Sequence, residues 1–495
     1  MKSNKAYTIQ VVNYGKVIAA KNGDNLLDLL AGAGIFLSAT CGGTGKCGKC
    51  KVKLISGKVD GASKDGKGYI LSCRSTVRSD LIIEVPHAST DEASTSAILG
   101  EGEDFFLALD VGTTTLAAAL ISAKTQEVLG TYSCLNPQGV YGADVLSRIS
   151  ACQKGKLKAL QELILNKTKD IILKMSANGV KKLVVSANTT MLHVFLGVDP
   201  SPIGVYPFTP VFTKTQFIKG KELGLPAEDV CLLASASAYI GSDITSGACY
   251  LNLHTSKSTS LFVDVGTNGE ILLSHGGKFY ATSSAAGPAL EGASIECGVG
   301  GIDGAVSSVK YENGNLLLST INGSRPIGIC GSGLIDLITV LVEEDIIDEC
   351  GALNEESASP LSERLRDDRF HLSSDIYLSA KDVRQFQLAK AAISAGIEAL
   401  IAHCGITESD VEKLYVSGGL GSFMDVENAA RIGLLPKNLA PKAISVGNTS
   451  LSGAILAAQS GATVGEIEGL CENIEITELS FSEVFRDKYM ENMYF

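Results

Sequence analysis

Four cysteines near the start of the chain have the types and spacing of a redox site. Cys41, Cys47 and Cys50 form a C-x5-C-x2-C loop, and Cys73 is a distant fourth. Four thiolates in this pattern match the donor set of a two-iron, two-sulfur cluster, which carries one electron. Glycines at 42, 43, 45 and 48 let the backbone wrap closely and aim N–H groups at sulfur, favouring the reduced state. Zinc is the competing reading. Zinc ribbons prefer two C-x2-C pairs, and the loop has one. The stretch Gly43 to Cys50 nearly matches a P-loop, but it ends in Cys where a magnesium-binding Ser or Thr is required.

Two further motifs have the makings of a nucleotide site. Leu109-Asp110-Val111-Gly112-Thr113-Thr114-Thr115 and Val263-Asp264-Val265-Gly266-Thr267-Asn268-Gly269 each put a tight turn between apolar stretches. Such a turn points backbone N–H groups and short hydroxyls at one place, which suits phosphate oxygens. Asp110 and Asp264 sit just before the turns, placed to hold Mg2+ through water. One such hairpin is most simply a turn. Two copies in matching contexts, 154 residues apart, are an internal repeat. Val416-Ser417-Gly418-Gly419-Leu420-Gly421-Ser422 adds a third element, whose glycines let an adenine or ribose approach the backbone.

The elements that must position these residues fall into two units. Residues 6–20 read as two short strands around Asn13-Tyr14-Gly15, and Asn25 to Ala33 as a helix. Strands at Lys51–Ile55 and Leu81–Val85 complete an α+β unit over 1–86. The polar stretch 87–103 reads as a linker. From 104 to 478 strands alternate with helices. Helices are expected near 143–177 and 380–403, strands at 182–186, 260–264 and 270–273, and a strand–helix junction at 415–432. The charged stretch 342–370 reads as a surface insertion, and 479–495 as a C-terminal tail. The repeat predicts two similar α/β lobes facing each other.

Length and composition set bounds. A chain of 495 residues exceeds one ordinary domain. No uncharged apolar run reaches the roughly 18 residues that span a bilayer, and the first residues lack a signal-type apolar region. A cytoplasmic location is expected, so the thirteen cysteines are thiols or metal ligands. Residues 1–86 hold 13 Lys/Arg against 6 Asp/Glu, a net of +7, whereas the remainder holds 29 against 48, a net of −19. A basic head on an acidic body is either an unremarkable solvated surface or a docking face for an acidic partner or for the body itself. Nucleic acid is excluded as a partner: the basic residues lack interleaved aromatics and there is no Trp.

Two phosphate hairpins and a late Gly-Gly turn resemble the acetate and sugar kinase/Hsp70/actin superfamily. Asn136-Pro-Gln-Gly-Val-Tyr-Gly-Ala-Asp144, Asn188-Thr-Thr-Met-Leu-His193, Ala285 to Gly292, Pro326 to Gly333 and Asp382 to Lys390 narrow the likeness. They resemble the ATPase part of reductive activators of corrinoid proteins, which carry an N-terminal two-iron ferredoxin domain. The likeness runs from the cysteine loop to Gly447-Asn448-Thr449-Ser450-Leu451-Ser452-Gly453. Larger relatives insert a domain between ferredoxin and ATPase, where this chain has a short linker. The resemblance implies a [2Fe-2S] cluster on Cys41, Cys47, Cys50 and Cys73. It implies ATP with Mg2+ on Asp110 and Asp264. Nucleotide contacts are implied for Gly112, Thr113, Thr114, Thr115, Gly266, Thr267, Asn268, Gly269, Gly331, Ser332, Gly418, Gly419 and Gly421. The implied activity is one-electron reduction of Co(II) to Co(I) in a corrinoid methyl-carrier protein, with an external low-potential donor and a homodimeric enzyme.

Three rival readings follow from the same motifs. Activators of 2-hydroxyacyl-CoA dehydratases are ATP-dependent electron donors to a different enzyme, but lack an N-terminal two-iron domain. A small-molecule kinase with a fused redox domain needs a catalytic base, for which Asp243 is the candidate. A chaperone-like clamp would not need residues 1–90. His193, on an apolar segment, is expected to be a satisfied core histidine. Arg384 is expected to bind nucleotide or a partner, or to serve packing. Cys297 and Cys330, lacking C-x2-C partners, are expected to be buried thiols.

Overall fold

The computed structural model describes residues 6–85 except 38, 40, 62 and 63, and residues 104–495 except 422. The linker expected at 87–103 lies outside the described residues, as does Ser422 of the late glycine turn.

The first unit is built as its alternating pattern dictates. Strands β1 (Ala6–Val11) and β2 (Lys16–Lys21) pair antiparallel across the turn at Gly15. Helix α1 (Leu26–Gly32) is capped by the Asn25 side chain and buries Leu26, Leu27 and Leu30. Strands β3 (Lys51–Ser56), β4 (Tyr69–Leu71) and β5 (Leu81–Glu84) complete a sheet of order β2-β1-β5-β3-β4. Ile9, Val11, Val52, Ile70 and Ile83 form its core.

The body has two lobes. In the first, β6 (Phe105–Val111), β7 (Thr115–Ser122) and β8 (Val128–Leu135) form a meander. Helices α2 (Val145–Ala151) and α3 (Leu157–Met175) meet at a kink where Gly155 has φ 80°. Strand β9 (Val180–Ala187) returns parallel to β6, and β10 (Gln216–Lys219) and β11 (Ala227–Leu232) extend the sheet to β8-β7-β6-β9-β11-β10. Helix α4 (Ser242–Tyr250) leads out of the lobe.

The second lobe repeats the design. Strands β12 (Ser260–Val265), β13 (Gly269–His275) and β14 (Lys278–Ser284) form the meander. Helix α6 (Ala380–His403) packs on it, and α5 (Gly331–Glu343) packs on the strand Ala305–Glu312 within the same core. Strands β15 (Lys413–Ser417), β16 (Ala443–Gly447) and β17 (Ile474–Ile476) give the order β16-β15-β12-β13-β14-β17. The expected repeat is therefore present as two six-stranded sheets with the same strand–turn–strand start.

Two expectations need correction. The stretch 342–370 is not only surface: Ile346, Ile347, Leu361 and Phe370 lie in the second lobe's core. Residues 479–495 are not a loose tail. Helix α9 (Glu483–Glu491) packs along α6. The buried Lys390 donates to the carbonyls of Asn492 (2.8 Å) and Tyr494 (2.5 Å), and Gln387 donates to that of Met493 (2.8 Å). Charge on a segment reports its outer face alone.

The lobes share a core layer made by α4 and by α7 (Thr449–Gln459), with α8 (Gly461–Asn473) behind them. Gly247 and Gly453 let α4 and α7 approach closely. A Cβ on Gly453 would lie 2.3 Å from the Ser246 carbonyl oxygen. The contact is backbone and cannot turn aside, so Gly453→Val forces the helices apart. The expected cost is about 3 kcal/mol, read as a lowered thermal midpoint; an unchanged midpoint would show that the crossing is not tight.

Candidate functional site

Gly112 and Gly266 turn the two hairpins back on themselves. A Cβ on Gly112 would meet the Thr115 carbonyl at 2.6 Å, and Gly266 N–H donates to the Asn268 carbonyl at 3.1 Å. Asn136, Gln138 and Arg148 brace the first hairpin from behind. Asn136 donates to the Gly112 carbonyl at 2.8 Å. The fully buried Arg148 donates to the carbonyls of Thr113 and Gly142 and to Gln138 Oε1. Burial pulls its pKa to about 10, so the cation persists at neutral pH. Asn188 donates to Thr113 Oγ1 at 3.2 Å.

The hairpins face one another. The carboxylate of Glu291 lies between them, accepting from the Thr114 hydroxyl on one side and from Thr267 N–H (2.9 Å) on the other. Thr267 Oγ1 is buried and has no partner among the described residues. A buried hydroxyl without an acceptor is costly unless something else meets it. Donors that already hold a carboxylate also suit phosphate.

Asp110 and Asp264 occupy equivalent ends of β6 and β12. Asp110 accepts from Ser450 Oγ (2.7 Å) and Asn448 Nδ2 (2.8 Å) at the start of α7, across the lobe boundary. Asp264 accepts from Ser417 Oγ at 2.6 Å. Asp243 and Glu270 stand nearby. Burial raises all four pKa values, and neighbouring acids add to the rise at three of them: Asp264 rises to about 6, Asp243 to about 8 and Glu270 is also raised, whereas Asp110 is raised by burial against the opposing hydrogen bonds of Ser450 and Asn448. Such carboxyls retain protons that the unfolded chain gives up near pH 4. Their contribution to stability is complete below that pH and is lost as pH rises through the folded values. The nucleotide-free chain should therefore lose about 1.4 kcal/mol per pH unit for each retained proton between about pH 4 and 8. Thermal midpoints across that window check the sign, and a midpoint rising with pH would contradict it.

The late glycines lie beside this floor. Gly418 has φ 96°, and a Cβ there would come 2.8 Å from Asp264 Oδ1. Gly421 accepts from Ser445 Oγ. Gly331 starts α5, where a Cβ would strike the Leu290 carbonyl at 1.9 Å, and Ser332 Oγ donates to the Ser307 carbonyl at 2.8 Å. Gly331 thus abuts the loop that carries Glu291, whereas Ser332 ties the helix start to the strand Ala305–Glu312. Thr115 is exposed, and Gly269 packs against Ile393.

Thiol–thiol hydrogen bonds join Cys41 to Cys47 and Cys50 to Cys73, and Cys41 and Cys47 also lie within electrostatic reach of Cys73. Among the described residues no three His, Cys, Asp or Glu side chains converge on one ion. Two pairs suit two irons, whereas one tetrahedral zinc needs all four thiolates at a single point. The residues thus fit the two-iron group. The loop also touches the body: Lys49 Nζ donates to the carbonyls of Gly292 (2.9 Å) and Gly298 (3.1 Å). Asp28 of α1 accepts from Tyr141 OH (3.2 Å) and pairs with Lys156 (3.0 Å).

Other expected residues have structural roles. His193 is fully buried, its Nδ1 donating to the Thr189 carbonyl (2.8 Å) and its Nε2 accepting from Val211 N–H (3.0 Å). Arg384 contacts Gln387 beside the C-terminal segment. Cys330 is buried, and Cys297 partly so. No helix among the described residues is long and apolar enough to cross a membrane.

Three family models cover most of the chain: a 2Fe-2S iron-sulfur cluster binding domain over 9–78, the RACo middle region over 105–256, and the C-terminal, ASKHA domain of RACo over 258–495. The middle region coincides with the first lobe. The corrinoid activation enzyme RamQ of Eubacterium limosum is 33% identical over 416 residues, 79% of this chain and 70% of its own. A [Co(II) methylated amine-specific corrinoid protein] reductase of Methanosarcina barkeri is 24% identical over 390 residues, 70% of this chain and 68% of its own. Among solved structures, a reductive activator for corrinoid, iron-sulfur protein superposes with a TM-score of 0.74 at 27% identity, covering 99% of this chain and 98% of that one.

Proposed function

Because the chain belongs to the RACo family, we propose that it reductively activates a corrinoid methyl-carrier protein, passing one electron to Co(II) to give Co(I) in an ATP-dependent cycle. The observation that carries this reading is the pairing of two facing phosphate hairpins with a four-thiol loop docked beside them. Corrinoid methyl carriers act as Co(I), and oxidation to Co(II) inactivates them. A bound two-iron cluster would supply a one-electron carrier near about −400 mV, held by Cys41, Cys47, Cys50 and Cys73. Each 59 mV of shortfall costs about 1.4 kcal/mol for one electron. ATP must therefore shift an equilibrium, and its energy enters as a difference in binding between two states.

The chain's own residues divide that work. Thr113, Thr114, Thr267 and the turn N–H groups bind phosphate. Asp110 and Asp264 hold Mg2+ through water, which would also relieve the repulsion among the cleft acids. The glycines at 418, 419 and 421 leave room for adenosine. Hairpins on opposite lobes grip one nucleotide, so binding closes the lobes and changes the surface offered to the corrinoid protein. An external low-potential donor would return one electron to the carrier that the four cysteines hold, and the active species is expected to be a homodimer in the cytoplasm.

The test is anaerobic optical spectroscopy of a Co(II) corrinoid protein with this chain and a reductant. Growth of the Co(I) band only with ATP supports the reading. Equal Co(I) growth without ATP would remove the ATPase from the mechanism. A small-molecule kinase is the second reading, favoured by the raised pKa of Asp243, which suits a general base. Phosphorylation of a sugar or acid library would establish it.

A further inference from the structure

The nucleotide site and the cysteine loop meet at two adjacent residues. Glu291 spans the phosphate hairpins through Thr114 and Thr267. The next residue, Gly292, gives its carbonyl to Lys49, which lies between Cys47 and Cys50. The second Lys49 acceptor, Gly298, belongs to the same knot of chain: a Cβ on Gly298 would lie 2.1 Å from the Gly292 oxygen, and one on Gly292 2.5 Å from the Val299 oxygen. Neither carbonyl can move without the other. Backbone so tightly packed transmits displacement in place of absorbing it.

We infer that Glu291 is a nucleotide-displaced latch that keeps the ferredoxin unit docked while the phosphate site is empty. The inference rests on the reading of the two hairpins as a nucleotide site. The Glu291 carboxylate takes the donors that phosphate would take, so it occupies that place as a resident anion. Phosphate and carboxylate are like charges and cannot share those donors. Nucleotide entry expels Glu291 and carries Gly292 and Gly298 away from Lys49. The charge-assisted bonds of Lys49 are the strongest direct tie between loop and body. Among the described residues the other ties of this unit to the body are the Asp28 contacts with Tyr141 and Lys156 and a 3.4 Å bond from Ala39 N–H to the Gly139 carbonyl. In the docked state Gly42 lies against the Tyr141 carbonyl, where a Cβ would approach to 3.4 Å. One face of the loop is therefore closed to a partner until the latch opens.

Coupling of this kind is reciprocal. Whatever factor nucleotide gives to undocking, undocking gives to nucleotide affinity. The test uses the cluster-loaded full chain under anaerobic conditions, as wild type, Lys49→Met and Glu291→Ala. Binding of a non-hydrolysable ATP analogue is measured by calorimetry, and the radius of gyration by small-angle scattering. An unchanged visible spectrum certifies each variant as folded and loaded. The latch predicts that wild type expands when the analogue binds. Lys49→Met, which loses both charge-assisted bonds, should be expanded already and bind the analogue at least about tenfold more tightly. Glu291→Ala should also bind more tightly and be expanded without nucleotide. Normal analogue binding with no expansion, and with unchanged affinity in Lys49→Met, overturns the latch and leaves the nucleotide site standing. Absence of analogue binding in all three overturns both.

Discussion

Asp110→Ala should abolish ATP-stimulated Co(I) formation while leaving the cluster spectrum unchanged. Asp110 is the point where the lobes meet over the proposed metal site. Its oxygens accept from Asn448 and Ser450, which start a helix on the far side of the boundary. Removal takes away a metal-orienting charge and leaves two donors unmet. Loss of one preorganised electrostatic group costs about 10²–10³ in rate, so stimulation by ATP should fall to background. Asp110→Asn separates the two contributions, since it preserves the shape and one acceptor but removes the charge. If Asn at 110 retained full stimulation, the charge would have no part in the cycle.

Cys73→Ala should have the opposite profile: no Co(I) at any ATP concentration, with nucleotide binding preserved. Cys73 hydrogen-bonds with Cys50, and its loss would leave three of the four thiolates that would hold a two-iron cluster. A bound cluster would add iron–thiolate support to the loop between Cys41 and Cys50, whose glycines supply little rigidity. Iron and acid-labile sulfide analysis with visible spectroscopy reads the loss. The nucleotide donors lie in the body, so the ATP analogue should still bind. A Cys73→Ala protein with full iron content and activity would remove this cysteine from the ligand set.

Much of this was legible in the sequence because it is local. The cysteine spacing, the Gly-Thr turns and the Asp before each turn are fixed within a few residues, and the strands around them alternate plainly. The residues that complete the site were not legible. Glu291 reaches Thr114 across 177 positions, and Asn448 reaches Asp110 across 338. Their roles exist only once the lobes face each other. Glu270 reads as one more strand residue, and Arg148 carries no motif that singles it out. The stretches containing Glu291, Arg148 and Asn448 did stand out or adjoin motifs that did, but nothing in them told which side chain was turned inward. Charge misled at 342–370 because the outer face of a segment sets its composition while a few apolar residues set its place.

The hold of Asn448 and Ser450 on Asp110 also orders events at the ribosome. Chains emerge at about 5–20 residues per second, so the 338 residues between Asp110 and Asn448 take roughly 20 s to a minute to appear. During that interval the first lobe can pair its strands, but Ala108, Ala119 and Val184, which later face α7, wait without their cover. A nascent first lobe is thus a sticky half-product whose completion depends on residues made much later. Expression conditions that slow initiation or supply holding chaperones should favour soluble protein for this reason.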